Sequence, residues 1–145
     1  MALPTAMFKK ILVPLDLSGR NEGALAAASQ LARQGRARVL LLHVIQRIEH
    51  VAPRELRGFY EQLEKSAREK MAVAARKLAA KKIDVRGTVV VGMPAAEIVD
   101  YAGANGVDLI VLSSHKIDLT RPNQGWGTTS YKVGVLCQCP VLLVK

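Results

Sequence analysis

The sequence predicts an α/β domain built on an open, largely parallel five-stranded sheet, and three observations lead there. Five short apolar segments, "FKKILVPLD", "ARVLLLHVI", "DVRGTVVVG", "VDLIVLSS" and "CPVLLVK", recur along the 145 residues with helical stretches between them. Four of them, starting from Ile11, Val39, Val89 and Leu109, are nearly continuous in apolar residues instead of alternating, the pattern of strands covered on both faces. Strand and helix alternate throughout, which calls for parallel pairing through right-handed crossovers.

The elements follow from spacing and capping. In "SGRNEGALAAASQLARQG", Ser18 supplies a helix cap and Gly35 a stop, with Ala24, Leu25, Ala28, Leu31 and Ala32 on one stripe. Pro53 opens a longer helix in which Leu56, Phe59, Tyr60, Leu63, Ala67, Met71, Ala74 and Leu78 keep helical spacing. Glu61 with Lys65 and Glu64 with Arg68 support its wet face, while Arg76, Lys77, Lys81 and Lys82 suit the negative end of its dipole. Pro94 and Gly106 bracket a third helix with Ala95, Ile98, Val99 and Ala102 inward. A fourth is expected over residues 128–136. The longest irregular stretches are 45–52 and 114–126.

A formal charge of +9 makes nucleic acid and anionic membranes the first partner classes to weigh. Residues 53–82 hold nine Lys and Arg against four Glu, so much of the excess lies on one polar helix face, where solvated charge is the ordinary explanation. The six aromatic residues are not interleaved with basic ones, so no base-stacking surface is visible and a nucleic-acid role is argued against. Cys137 and Cys139 lack the second pair or spaced histidines of a zinc site, and no metal site is expected. They read as buried or half-buried thiols in a reducing compartment, with a redox pair as the second reading. The start "MALPTAMFKK" has no basic region ahead of a long apolar stretch, and the longest apolar run, around "VLLLHVI", falls short of the roughly 18 residues of a membrane span. One cytoplasmic domain, residues 1–145, is the expectation.

In open parallel sheets ligands settle beyond the carboxyl ends of strands, where the strand order reverses. Two segments are candidates: "PLDLSG" after the first strand and "SSHKIDLTRPNQGWGTTS" after the fourth. Asp16 reads equally as a ligand contact and as a helix cap beside Ser18. Gly127, Thr128, Thr129 and Ser130 open the last helix, where amides and hydroxyls either receive an anion or simply cap the helix. Gly125 and Gly127 also read as a turn flanking Trp126. His43, inside an apolar strand, reads as a hydrogen-bonded core residue. Ser114 beside His115 is not a nucleophile and base, because neighbours on an extended segment point opposite ways and no third residue orients the imidazole. No GxxxxGK[ST] loop is present, which argues against tight phosphoryl transfer. The chain reads as a non-enzyme, or at most a slow ATP hydrolase.

From Phe8 to Lys145 the chain resembles the universal stress protein family, in "KKILVPLDLS", "LLHVI", "VGMPAAEIVDYA", "DLIVLSSH" and "CPVLLVK", in that order. The resemblance implies a sheet of order 3-2-1-4-5 with helices on both faces, of the adenine nucleotide alpha hydrolase-like kind. It implies homodimerisation through the last strand, residues 141–145, with Val141 and Lys145 as its ends. It also implies ATP or AMP at the switch point, with Pro14, Asp16 and Val44 at or around the base and Leu112 lining the same pocket. Phosphate-binding members carry Gly, two residues, Gly, nine residues, then Gly followed by Ser or Thr. Here Ser113 and Lys116 stand in place of the first two glycines, and ten residues separate Lys116 from Gly127 and Thr128.

Glycine serves at such positions because it lets backbone amides approach phosphate and takes positive φ without steric cost. A left-handed Ser113 or Lys116 would cost about 1–2 kcal/mol each. A lost charge-assisted hydrogen bond costs about 1.5–3 kcal/mol, and two such defects carry a micromolar site toward the millimolar range. Lys116, with Arg121 or Lys132, offsets part of this as a flexible cation. The resemblance therefore implies a homodimeric, regulatory stress-response module with a weak or altered ATP or AMP site. The alternative is a member that has lost the nucleotide and acts through dimerisation and a protein partner.

Overall fold

The computed structural model describes residues 7–114, 120 and 128–145. In chain order it contains β1 (Lys10–Pro14), α1 (Glu22–Gly35), β2 (Arg38–Gln46), a 3-10 turn (Pro53–Leu56) leading into α2 (Arg57–Ala79), β3 (Val85–Gly92), α3 (Pro94–Ala104), β4 (Leu109–Ser113), α4 (Thr129–Leu136) and β5 (Val141–Val144). The strands form one sheet of order β3-β2-β1-β4-β5, and every neighbouring pair is parallel. This is the order the family resemblance implied.

Successive side chains of a strand point to opposite faces, so each apolar strand feeds two cores. Ile11, Val13, Val39, Leu41, Leu109 and Val111 pack on one face with Ala24, Ala28 and Ala32 of α1 and Met71 and Leu78 of α2. Leu12, Leu40, Leu42, Ile110 and Leu112 pack on the other with Ile98 and Ala102 of α3 and Val133 of α4. Burying each large side chain contributes about 1.5–3 kcal/mol, which explains why β1, β2 and β4 can do without polar alternation. The alanine stripe of α1 buries Ala24, Ala28 and Ala32 against the sheet, with Leu25 and Leu31 half-buried at its margins.

The two edge strands differ from the three central ones. β3 is half-buried or exposed along most of its length, although its apolar run reads like that of a central strand. It has one strand neighbour, so half of its ladder and part of each face meet solvent. On the other edge β5 leaves Leu142 and Leu143 41% and 37% exposed.

Local details correct three sequence expectations. α1 begins at Glu22, with Asn21 at the N-cap position, and not at Ser18. The Ser18 hydroxyl instead donates to Asp16 at 2.6 Å, a bond that holds the loop ahead of the helix. On α2 the Glu64–Arg68 pair forms at 3.2 Å, but Glu61 pairs with Arg57, one turn earlier, and not with Lys65. Phe59 and Leu63, both on the helical stripe, remain exposed because the first turns of α2 extend past the sheet-covered part of the helix. Gly106 takes φ +64 just beyond α3, the left-handed geometry that its place after the helix predicts. Among the described residues no helix is long and apolar enough to cross a membrane.

Leu41 is fully buried between β1, β3 and the α1/α2 layer. Leu41→Ala is expected to lower the unfolding free energy by about 2–5 kcal/mol in urea titrations. Val73→Ser, on the exposed side of α2, is expected to change it by less than about 0.5 kcal/mol.

Candidate functional site

β1 and β4 are neighbours at the centre of the sheet, with Ile11 in register with Leu109 and Leu12 with Ile110. The chain leaves β1 toward α1 on one face and leaves β4 toward α4 on the other, so a crevice opens above their carboxyl ends. A cleft of about 380 Å³ lies there, within the range of small-molecule sites. Its apolar walls are Pro14, Leu42, Val44, Ile98 and Leu112, and its polar groups come from Asp16, Asn21, His43, Ser113, Thr128, Thr129 and Ser130.

Asp16 is fixed by three donors that converge on one oxygen. The Ser18 amide, the Ser18 hydroxyl and the Asn21 side-chain amide donate to Oδ1 at 2.9, 2.6 and 2.7 Å. Among the described residues no donor reaches Oδ2. Partial burial pushes the Asp16 carboxyl pKa up, but the bonds from Ser18 and Asn21 and the nearby Arg20 charge outweigh it and hold the carboxyl below its ordinary value. A depressed folded-state pKa stabilises the fold above the unfolded-state value, and that contribution is lost as pH falls through the folded value. Asp16 is therefore a carboxylate at neutral pH, locked on one side and open on the other.

Asn21 joins the two loops. It is 6% exposed; its Nδ2 donates to Asp16, and its Oδ1 accepts from the Ser113 hydroxyl at 3.3 Å. One amide thus ties the end of β1 to the end of β4, using its donor and acceptor in opposite directions. The sequence reading passed over Asn21. Its signal was an N-cap residue type directly ahead of "EGALAA", a place where Ser18 and Asp16 competed for the same role. His43 is hydrogen-bonded, as expected, yet half-buried and on the cleft wall. Its Nδ1 lies 2.7 Å from the Leu15 carbonyl, which can only accept, so Nδ1 carries a proton and donates.

The start of α4 supplies the opposite wall. Thr128 is its N-cap, with extended backbone, and its Oγ1 accepts from the Tyr131 amide at 3.4 Å. Ser130 Oγ lies 3.2 Å from Thr128 Oγ1 and 3.3 Å from Ser114 Oγ, and Lys145 donates to Ser114 Oγ at 3.3 Å. A chain of hydroxyls thus leads from the helix tip to an ammonium group that the sequence reading did not connect with the site. The eight residues of α4 add the positive end of a helix dipole at residues 128–130.

Of the residues singled out from the sequence, Pro14, Asp16, Val44, Leu112, Ser113, Thr128, Thr129 and Ser130 all border this one cleft. Lys116 and Gly127 lie outside the described residues, as do His115, Arg121, Gly125 and Trp126. Lys132 is exposed on α4 and does not line the cleft. Ser113 is the last residue of β4 and has no positive φ, so the left-handed strain considered for it does not arise. No group of three or more metal-ligating side chains occurs among the described residues.

Asn21→Ala is expected to raise the Asp16 pKa toward the ordinary carboxylate value and to cost about 1–3 kcal/mol of stability, since a buried hydrogen-bond partner is lost on both sides. Carboxyl-carbon NMR titration and urea unfolding check the two effects. An unchanged Asp16 titration would show that the amide does not hold the carboxylate.

Comparison with known proteins matches this geometry to a family. The sequence model of the universal stress protein family matches residues 7–145. Universal stress protein YxiE of Bacillus subtilis is 32% identical over 149 residues, covering 96% of this chain and 100% of its own length. Universal stress protein MJ0577 of Methanocaldococcus jannaschii is 30% identical over 129 residues, covering 77% of this chain and 79% of its own. The solved structure of MJ0577 superposes with a TM-score of 0.76 and covers 96% of both chains. Two further structures share the fold: a universal stress protein in complex with cAMP (TM-score 0.74, 19% identity, 96% and 98% covered) and one from Archaeoglobus fulgidus in complex with dAMP (0.69, 20%, 96% and 99%). With the β3-β2-β1-β4-β5 sheet and a family match over nearly its whole length, the chain belongs to the universal stress protein family.

Proposed function

We propose that the chain is a cytoplasmic, homodimeric regulatory module that holds an adenine nucleotide weakly between the β1–α1 loop and the start of α4. The observation that carries this reading is the shared border: Asp16 and residues 128–130, remote in sequence, line one cleft. The donor set fits such a guest. Val44, Ile98 and Leu112 offer apolar surface to a purine, the open Oδ2 of Asp16 accepts from an amine or ribose hydroxyl, and the amides and hydroxyls of residues 128–130 face the anionic end. Relatives of the same fold in complex with cAMP and with dAMP support adenine as the base.

The homodimer half of the proposal rests on the β5 edge. Among the described residues β5 has no strand on its outer side, and exposed Leu142 and Leu143, with Val135 and Leu136 of α4 at 64% and 56% exposure, offer apolar surface that a second copy would cover. A member that binds no nucleotide and acts through dimerisation and a protein partner is the second reading. Ser113 in a glycine's place favours it, because a side chain there holds backbone amides away from phosphate.

Titration calorimetry with AMP and ATP is expected to give dissociation constants between about 1 µM and 1 mM, at least tenfold weaker for Asp16→Ala and for Thr128→Ala. No heat at several-millimolar nucleotide would leave the second reading standing. Light scattering at micromolar concentration is expected to return twice the chain mass, shifting to the monomer for the Leu142→Lys, Leu143→Lys double variant. A monomeric wild type would remove the homodimer from the proposal.

A further inference from the structure

The corner between α4 and β5 holds both cysteines of the chain. Cys137 is the C-cap of α4, and its amide donates to the Val133 carbonyl at 2.9 Å. Cys139 precedes Pro140, whose carbonyl accepts from the Ile110 amide at 3.0 Å, at the start of the β4–β5 pairing. The backbone bends between these two anchors and brings the sulfurs to 3.3 Å, closer than unbonded sulfurs ordinarily pack. Both side chains are half-buried and lie against the core on the α3/α4 face. Neither borders the cleft, so nothing in the proposed nucleotide site accounts for the pair.

We propose that Cys137 and Cys139 are a redox modification site, a dithiol that peroxide closes into a disulfide within one chain. The geometry carries the proposal, because the sulfurs need to approach from 3.3 Å only to the roughly 2.05 Å of a bond. Burial and the hydrogen bond with Cys137 push the Cys139 thiol up to about 12, and either sulfur can donate across the 3.3 Å contact. Cys137 is therefore the attacking sulfur. As thiolate it takes one peroxide oxygen, the O–O bond breaks, and the other oxygen leaves as water after protonation, giving a sulfenic acid on Cys137. Cys139 then attacks that sulfur; the S–S bond forms, the S–O bond breaks, and a second water leaves with the Cys139 proton. Two electrons pass from the two thiols to the peroxide, so one peroxide yields one disulfide and two waters. Closing so short a loop removes little unfolded-state entropy, and the consequence lies in the geometry of the corner instead of in global stability.

The test uses the full reduced chain, treated with a small excess of hydrogen peroxide, alkylated with iodoacetamide and weighed intact. The expected result is a loss of about 2 Da with no alkylation, and a peptide map that joins positions 137 and 139. Cys139→Ser is expected to leave a sulfenic acid on Cys137 that dimedone traps, while Cys137→Ser reacts at least tenfold more slowly. Phenylarsine oxide is expected to add once to the wild type, bridging both sulfurs, and not to either serine variant. Two alkylated cysteines after peroxide, or a disulfide between two chains, would overturn the proposal. The wild-type measurement decides the matter even if a serine variant does not fold.

Discussion

The parallel pairing of β1 with β4 joins strands about two-thirds of the chain length apart, and side chains secure it at both ends. At the amino end the Asp108 carboxylate accepts from the amides of Lys9 and Lys10 at 2.8 and 3.1 Å. At the carboxyl end Asn21 spans Asp16 and Ser113. These bonds reinforce a ladder whose following helices, α1 and α4, pack on opposite faces of the sheet, and the cleft lies between them. Without this pairing, Asp16 and the start of α4 would have no common neighbour.

The β1–α1 loop carries one of the positive-φ non-glycine residues found among the described residues, the others being Arg36, His50 and Lys82. Leu17, directly after Asp16, holds φ at 62, a left-handed geometry that costs a leucine about 1–2 kcal/mol. Packing of Leu17 against the core on the α1/α2 face and the three bonds to Asp16 offset that cost. Ser113, at the end of β4, carries no comparable burden, because it remains in strand geometry. What a serine in that position changes is how closely a guest can approach the backbone, while the backbone conformation itself is unstrained. The cleft therefore combines one tensed loop with one relaxed strand end, a pattern often found where a fold holds functional groups in place.

The sheet was legible because continuous apolar runs and helix stripes report local periodicity, and the three central strands are covered on both faces. β3 misled only in degree: its apolar run resembles a central strand, but an edge position depends on strand order, which periodicity does not encode. The N-cap of α1 was ambiguous for a different reason. Asp16, Ser18 and Asn21 are nearly equivalent as caps, and the choice among them was made by the hydrogen bonds each forms with the others and with Ser113. The residues at strand ends and at the α4 start were visible as candidates because the position of a ligand in such sheets is itself a rule. Asn21 and Lys145 were not, since their partners come from segments brought near only by the fold. Glu61 shows the same limit on a smaller scale: two cations lie within reach one turn either side, and spacing alone does not rank them.

The sheet also divides inheritance. Leu42, Ile98 and Leu112 wall the cleft from the α3/α4 side, whereas the basic surface of α2 belongs to the layer beneath the opposite face. Substitutions that recolour α2 for a new neighbour can accumulate there while the apolar lining of the cleft drifts on its own clock, since the β-strands that separate them present alternate residues to each.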